Sequence, residues 1–165
     1  SAVVEKDYVI RRCSLDQIVN QTIKNHAKTL ISRQFSIQRE NLEHIVYTDV
    51  KWIDFILGQI VTNAVKYRNS EKPVLRFQAE AFENQVILTI EDNGCGISAR
   101  DLPRIFDKGF TGDNGRQVAK SMGMGLYLVK QLCDKMNIGI QAQSQPGQGT
   151  AITLSFPLSG FLLPE

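Results

Sequence analysis

The sequence predicts an α+β fold, a two-layer α/β sandwich whose mixed, largely antiparallel sheet is covered by helices on one face. Three observations lead there. Strand-like segments outnumber helical ones, two pairs of them read as antiparallel hairpins, and the helices interleave irregularly with those pairs. A chain of 165 residues, 42% apolar and 22% charged, is close to the common size of one domain and buries roughly 70% of the surface it exposes when unfolded. The whole of 1–165 is therefore read as a single domain, with no repeat, linker or low-complexity segment.

Val9 to Cys13 reads as a short strand, and Ser14 with Gln17 as a Ser-x-x-Gln capping box. Leu15, Ile18, Val19, Ile23, Ala27, Leu30 and Ile31 then recur at helical spacing, with His26 beside that stripe as a core or boundary histidine. Phe35–Arg39 and His44–Tyr47 are strand candidates. Asp49 caps a second helix, Val50 to about Tyr67. The polar run Arg68 to Pro73 ends it, since proline cannot continue a helix. Val74–Ala81 and Gln85–Glu91 alternate apolar and polar residues around a Phe82-Glu83-Asn84 turn. That is a hairpin with Leu75, Phe77 and Ala79 on one face and Val86, Leu88 and Ile90 on the matching one. Asp92 to Met122 is glycine-rich, with a short helical stretch from Ser98 to Phe106, and a loop of that length in a small domain is more often functional than idle. Gly125 to Asn137 is helical again. Ile138–Ser144 and Thr150–Pro157 close the chain as a second hairpin.

Composition removes several classes of function. With 19 basic and 17 acidic side chains, there is no charge footprint for nucleic acid or a membrane surface. No apolar run approaches the ~18 residues that span a bilayer, and charged residues from Glu5 to Arg12 interrupt any signal-peptide pattern. Cys13, Cys95 and Cys133 are odd in number and widely spaced, which suits free thiols better than disulfides or zinc.

Four segments carry chemistry. Gln59, Asn63, Lys66 and Tyr67 stand at i, i+4, i+7 and i+8, hence on one stripe of the second helix. An amide oxygen suits a hard cation such as Mg²⁺, and an ammonium suits phosphate; a solvated helix face would look the same. Asp92-Asn93-Gly94-Cys95-Gly96-Ile97 places a carboxylate acceptor at a strand end before two glycines, and an Asp-Asn-Gly turn reads equally well there. Ser121 to Leu128, with Gly123, Met124, Gly125 and Leu126, puts two glycines just before a helix, where backbone N–H groups can meet an anion. No Gly-Lys-Ser/Thr follows and no strand leads in, so this is neither a Walker loop nor a dinucleotide fingerprint. Gly147-Gln148-Gly149-Thr150 is a hairpin turn or a support for the site.

In that order, Asn63-x-x-Lys66-Tyr67, Asp92-x-Gly-x-Gly, Gly123-x-Gly125-Leu126 and Gly147-x-Gly149-Thr150 resemble the asparagine box and the glycine boxes of the Bergerat-fold ATPases. That superfamily unites histidine kinases, DNA gyrase, heat-shock chaperones and mismatch-repair ATPases. Ile105 to Phe110 resembles the phenylalanine box of sensor histidine kinases, and Ile105–Gly112 with Ser121–Leu128 look most like the short-sensor kinases of bacitracin-type peptide transporters. The resemblance implies ATP and Mg²⁺ as ligands. Asn63 would bind the metal, and Lys66 and Tyr67 would flank the phosphates. Asp92 would accept from the adenine amine, with Gly94, Gly96 and Ile97 shaping the pocket and Thr150 supporting it. Phe106 and Phe110 would anchor a flexible lid over about 107–122, with Lys108 within it. Gly123, Met124, Gly125 and Leu126 would bring main-chain donors to the triphosphate.

One departure separates the branches. Hydrolysing relatives place a water-activating glutamate four residues before the asparagine, and here that residue is Gln59. An amide can hold a water but cannot take its proton, so transfer to an acceptor is expected over hydrolysis, with Gln59, Asn63 and Lys66 as the catalytic group. His26 is followed by Ala27 and His44 by Ile45, and neither matches a phosphoacceptor histidine followed by an acid. The expectation is a monomeric, cytoplasmic catalytic domain of a bacterial sensor kinase whose full protein sits in the plasma membrane. Its partners would be its own dimerisation and phosphoacceptor domain, a response regulator and a peptide ABC transporter, with no nucleic acid.

Overall fold

Alternation in the two central strands organises the sheet. The computed structural model describes residues 8–110 and 122–158. In chain order its elements are β1 (Arg11–Ser14), α1 (Leu15–Asn25), α2 (Ala27–Ser32), β2 (Ser36–Glu40), β3 (Ile45–Thr48), α3 (Val50–Lys66), β4 (Val74–Ala81), β5 (Gln85–Asp92), a 3-10 turn at Leu102–Arg104, α4 (Met122–Lys135), β6 (Gly139–Gln145) and β7 (Gly149–Pro157). Leu75, Phe77 and Ala79 of β4 and Val86, Leu88 and Ile90 of β5 all point inward and are buried, in a register that pairs Phe77 with Ile90 and Ala79 with Leu88. Ile152, Leu154 and Phe156 of β7 and Ile140 of β6 extend the same face. The strand order is β2-β4-β5-β7-β6, with β2 parallel to β4 and every other pairing antiparallel. The expected mixed sheet is therefore present. β1 and β3 form a separate antiparallel pair.

The helices lie against that inward face. Ile53, Ile56, Leu57, Ile60 and Ala64 of α3 are buried in one core with the sheet residues and with Val129, Leu132 and Cys133 of α4. Full burial of one such aliphatic side chain stabilises by roughly 1.5–3 kcal/mol, so the α3 stripe outweighs any single cap, worth about 1 kcal/mol. Asp49 nevertheless fixes where α3 begins. Its Oδ1 accepts from Trp52 N at 3.0 Å and its Oδ2 from Val9 N at 2.5 Å. Ser14 caps α1 by accepting from Gln17 N at 3.2 Å.

Several strand and helix ends shift by one or two residues against expectation, and four differences have a specific cause or consequence. The first strand lies at Arg11–Ser14 rather than Val9–Cys13, because Ser14 closes the β1–β3 ladder opposite Ile45 while capping α1. The first helix breaks at His26, whose ring turns back so that Nδ1 lies 3.0 Å from Thr22 O, and whose Cε1 packs 3.3 Å from where a Cβ on Gly58 would stand. Between Ser98 and Phe106 only one 3-10 turn forms, with Pro103 supplying no N–H. Finally, α4 begins at Met122, three residues before the expected Gly125.

Cys13 and Cys133 are buried, Cys95 is half-buried, and all three thiols are free. Burial pushes Cys133 up to about 12, as suits an inert core thiol. Among the described residues no helix is long and apolar enough to cross a membrane.

Candidate functional site

At one end of the sheet the inward face turns polar. After Ile90, Ile152 and Ala142 the next inward positions are Asp92, Thr150 and Ser144, paired in one row across β5, β7 and β6. The Asp92 Oδ1 accepts from Gly94 N at 2.9 Å. Burial pushes the Asp92 carboxyl up from the usual carboxylate range; the N–H groups of Gly94 and Thr150 pull the other way, and Glu91 adds a small upward push. A half-buried carboxylate held by two main-chain donors is an acceptor site at the strand end.

Close packing of three segments builds this corner. Gly149 has φ +104° and lies against the Asp92 carbonyl, where any Cβ would collide with backbone. Gly96, at φ +74°, makes the same close approach to Gln145. Such φ values suit glycine and strain other residues. The hairpin tip is tied on by Gly147 N, which donates to Cys95 O at 2.7 Å. The end of α3 joins from the other side, as Cys95 N donates to Tyr67 O at 2.9 Å. Gly94 sits at that crossing, where a Cβ would be 2.5 Å from Tyr67 O. Burial raises the pKa of the Tyr67 hydroxyl, with a smaller contribution from Cys95.

The stripe on α3 runs up to that corner, which Tyr67 at its end touches through the N–H of Cys95. Gln59, Asn63, Lys66 and Tyr67 are all half-buried. The Asn63 Oδ1 is buried and has no hydrogen-bond partner among the described residues, and Gln59 Oε1 lies against Gly125 of α4 at a distance that leaves no room for a Cβ. Gly123, Met124 and Gly125 thus belong to the first turn of α4 instead of preceding it. The first N–H groups of a helix have no intrahelical acceptor, and Gly125 brings that turn against Gln59. Leu126 follows, half-buried.

The phenylalanine-containing segment lies between β5 and α4 in sequence. Phe106 packs on the core. Phe110 is half-buried under the Arg104 guanidinium, 4.6 Å from the ring centre. Lys108 is exposed and stands 6.0 Å from the ring centre of Tyr127 on α4. Most of the expected lid, residues 111–121, lies outside the described residues.

Residues 48–160 match the family described as histidine kinase-, DNA gyrase B- and HSP90-like ATPases. This chain belongs to that family. Relatives of the ATPase domain include the sensor histidine kinase YxdK of Bacillus subtilis (strain 168), 37% identical over 92% of this chain and 47% of its own length. The sensor protein BceS of Halalkalibacterium halodurans is 36% identical over 93% of this chain and 46% of its own length. The sensor protein kinase GraS of Staphylococcus aureus (strain MRSA252) is 40% identical over 92% and 42%. The chain thus spans just under half the length of these relatives. Among solved structures, a nucleotide-free catalytic domain of histidine kinase ThkA superposes with a TM-score of 0.78 at 17% identity, covering 91% of this chain and 96% of that one. Full-length ShkA in complex with AMPPNP gives a TM-score of 0.78 at 20% identity, covering 93% and 32%. These two likenesses show the fold.

Within the ATPase domain, the donor set fits a magnesium nucleotide better than a metal held by protein alone. Among the described residues no cluster of three or more His, Cys, Asp or Glu side chains can hold a metal ion. One buried, unpartnered amide oxygen remains, Asn63 Oδ1, and Mg²⁺ commonly takes one or two protein oxygens, with waters and phosphates completing its shell. Two residues that the sequence reasoning passed over hold the corner together. Asn93 accepts from Val74 N at 2.8 Å and donates to Lys72 O at 3.1 Å, tying the loop after α3 to the end of β5. Ser144 joins Ile97, Gly149 and Thr150. Ser144 was legible in principle: a hairpin closed by Gln145 to Gly149 sets it opposite Thr150.

Proposed function

We propose that this chain is the ATP-binding catalytic domain of a membrane-anchored bacterial sensor histidine kinase, passing the γ-phosphate of Mg·ATP to a histidine on a separate dimerisation domain. The observation that carries the reading is the buried, unpartnered Asn63 Oδ1, flanked on its stripe by Gln59 and Lys66 and faced by the start of α4. Leaving a buried acceptor unpaired costs about 1–3 kcal/mol, a cost that a bound cation or its water removes. Asn63 would hold Mg²⁺, whose charge neutralises the phosphates when it is bound.

The remaining work is positioning, which dominates phosphoryl transfer. Lys66 supplies a point charge toward the phosphates. The first-turn N–H groups at Gly123, Met124 and Gly125 orient the triphosphate. Asp92 accepts from the exocyclic amine of adenine, Ile97 borders the base, Tyr67 stands with Lys66 beside the phosphates, and Thr150 stands beside Asp92. Phe106, Lys108 and Phe110 begin a lid that keeps water from the reacting phosphate. Gln59 orients without taking a proton, which favours transfer over hydrolysis. The relatives support this branch, since YxdK is named a sensor histidine kinase, GraS a sensor protein kinase and BceS a sensor protein. In the whole protein a response regulator would take the phosphate, and a peptide ABC transporter would be the sensory partner.

The test mixes this chain with a separately prepared, histidine-bearing helical hairpin and γ-labelled ATP. Label on the hairpin, with negligible phosphate release by the chain alone, is the expected result. Steady phosphate release with no label on the hairpin would make the domain an ATPase instead.

A further inference from the structure

Proton bookkeeping around Ser144 assigns the polarity of the base pocket. The Ser144 Oγ lies 2.8 Å from Ile97 N, 2.7 Å from Gly149 O and 2.9 Å from Thr150 Oγ1. A serine hydroxyl has one proton to give and two lone pairs to accept with. The Ile97 N–H must donate to it. The Gly149 carbonyl has no proton, so the short contact there consumes the Ser144 proton. Only Thr150 can then supply the proton of the Ser144–Thr150 contact. The Thr150 hydroxyl is thereby committed as a donor toward Ser144, and what it retains is lone pairs.

Thr150 also pairs with Asp92 across β5 and β7, as Ser144 pairs with Thr150 across β6 and β7. Side chains directly opposite in an antiparallel pair share a face, with Cβ atoms about 4.5–5.5 Å apart. A ligand that reaches the Asp92 carboxylate therefore meets the Thr150 oxygen beside it. We propose that Ser144 is a positioning residue of the base pocket: by taking the Thr150 proton it leaves two neighbouring acceptors, Asp92 and Thr150, and so selects a purine bearing a 6-amino group over a 6-oxo purine. The proposal rests on the nucleotide reading above and adds to it the residue that sets base discrimination. Without Ser144 the Thr150 hydroxyl is free to rotate and to donate, which a 6-oxo group accepts.

The experiment is calorimetric titration of the chain with ADP and with inosine diphosphate. The ratio of their affinities is the readout, because a merely structural role would weaken both ligands alike. Ser144→Ala is expected to lower the preference for ADP by about five- to tenfold, the size of one mispaired hydrogen bond. Ser144→Thr restores the proton donor and is expected to restore the ratio. In a Thr150→Val background, where no hydroxyl remains to be oriented, Ser144→Ala is expected to leave the ratio unchanged. Equal weakening of both ligands by Ser144→Ala overturns the proposal, as does a shifted ratio in the Thr150→Val background or a Ser144→Thr variant that behaves like Ser144→Ala. Absence of ADP binding by the unaltered chain overturns the nucleotide reading and this proposal together; ADP binding with a ratio that Ser144→Ala does not move overturns this proposal alone.

Discussion

The two walls of the proposed site are built on opposite principles. At the Asp92 corner the main-chain contacts are mutual and complete: Gly149 against the Asp92 carbonyl, Gly147 N on Cys95 O, Cys95 N on Tyr67 O, and Ser144 spanning Ile97, Gly149 and Thr150. On the α3–α4 wall the polar groups are left wanting, with Asn63 Oδ1 buried and unpartnered and the first-turn donors of α4 without intrahelical acceptors. One wall is a rigid mould whose shape is fixed before any ligand arrives. The other offers a buried amide oxygen with no partner among the described residues and the dipoles of a helix start, which a ligand would complete. Damage to the first should therefore register as lost folding stability, and damage to the second as lost affinity with the fold intact.

The harshest way to break this contrast is at Gly149. A Cβ there meets the Asp92 carbonyl at a positive φ of 104°, combining backbone strain with overpacking. Each of these costs roughly 1–3 kcal/mol, so Gly149→Ala should lose about 3 kcal/mol in urea unfolding. A loss below about 1 kcal/mol would mean the corner yields, and the rigid mould would be a fiction.

Asn63→Ala tests the other wall. It deletes a buried oxygen with no hydrogen-bond partner among the described residues and so relieves the cost of burying it; the unfolding free energy should not fall and should rise by up to about 1–3 kcal/mol. Affinity for a magnesium nucleotide should fall about tenfold, or ~1.4 kcal/mol, and the gain in affinity on adding Mg²⁺ should vanish. Calorimetry with and without the metal reads both. A variant that unfolds easily but binds normally would reverse the roles of the two walls.

A smaller effect sharpens the contrast from within the rigid corner. Burial holds the Asp92 pKa above its unfolded value, so ionised Asp92 opposes folding near neutral pH. Stability from this group is present below its unfolded pKa and is lost as pH rises through the raised folded pKa. Asp92→Asn should accordingly raise the melting midpoint of the free chain at pH 7 while weakening adenine nucleotides. The stability gap should close as the pH is lowered through the folded pKa of Asp92. A gap that widens in acid would contradict the sign of the shift.

How much of this was legible in the sequence follows from the same physics. Period-two alternation fixed the faces of β4 and β5, because one residue of slip would expose the whole of Leu75, Phe77 and Ala79. Helical spacing placed Gln59, Asn63 and Lys66 on one stripe, since three and four residues apart are neighbours on any helix. Local signals failed where tertiary contacts decide. His26 ends α1 because its ring folds back onto Thr22 O and rests over Gly58, and nothing near it in sequence announces Gly58. The start of α4 at Met122 runs through two glycines that propensity would exclude, and Gly125 is there to admit Gln59. Asn93 escaped notice for a related reason, since its partners Val74 and Lys72 lie 19 and 21 residues away, and so did the bond from Ile97 to Ser144 across 47 residues; the Gly149 and Thr150 partners of Ser144 are local to its hairpin.

The most direct measurement is one calorimetric series: a non-hydrolysable ATP analogue titrated into the chain with Mg²⁺ and with the metal chelated, beside adenosine under both conditions. A single shared pocket requires one nucleotide per chain, tighter with the metal, while adenosine, which touches only the Asp92 corner, binds equally well either way. Two nucleotides per chain, or an analogue indifferent to Mg²⁺, would mean that the two walls do not face one ligand.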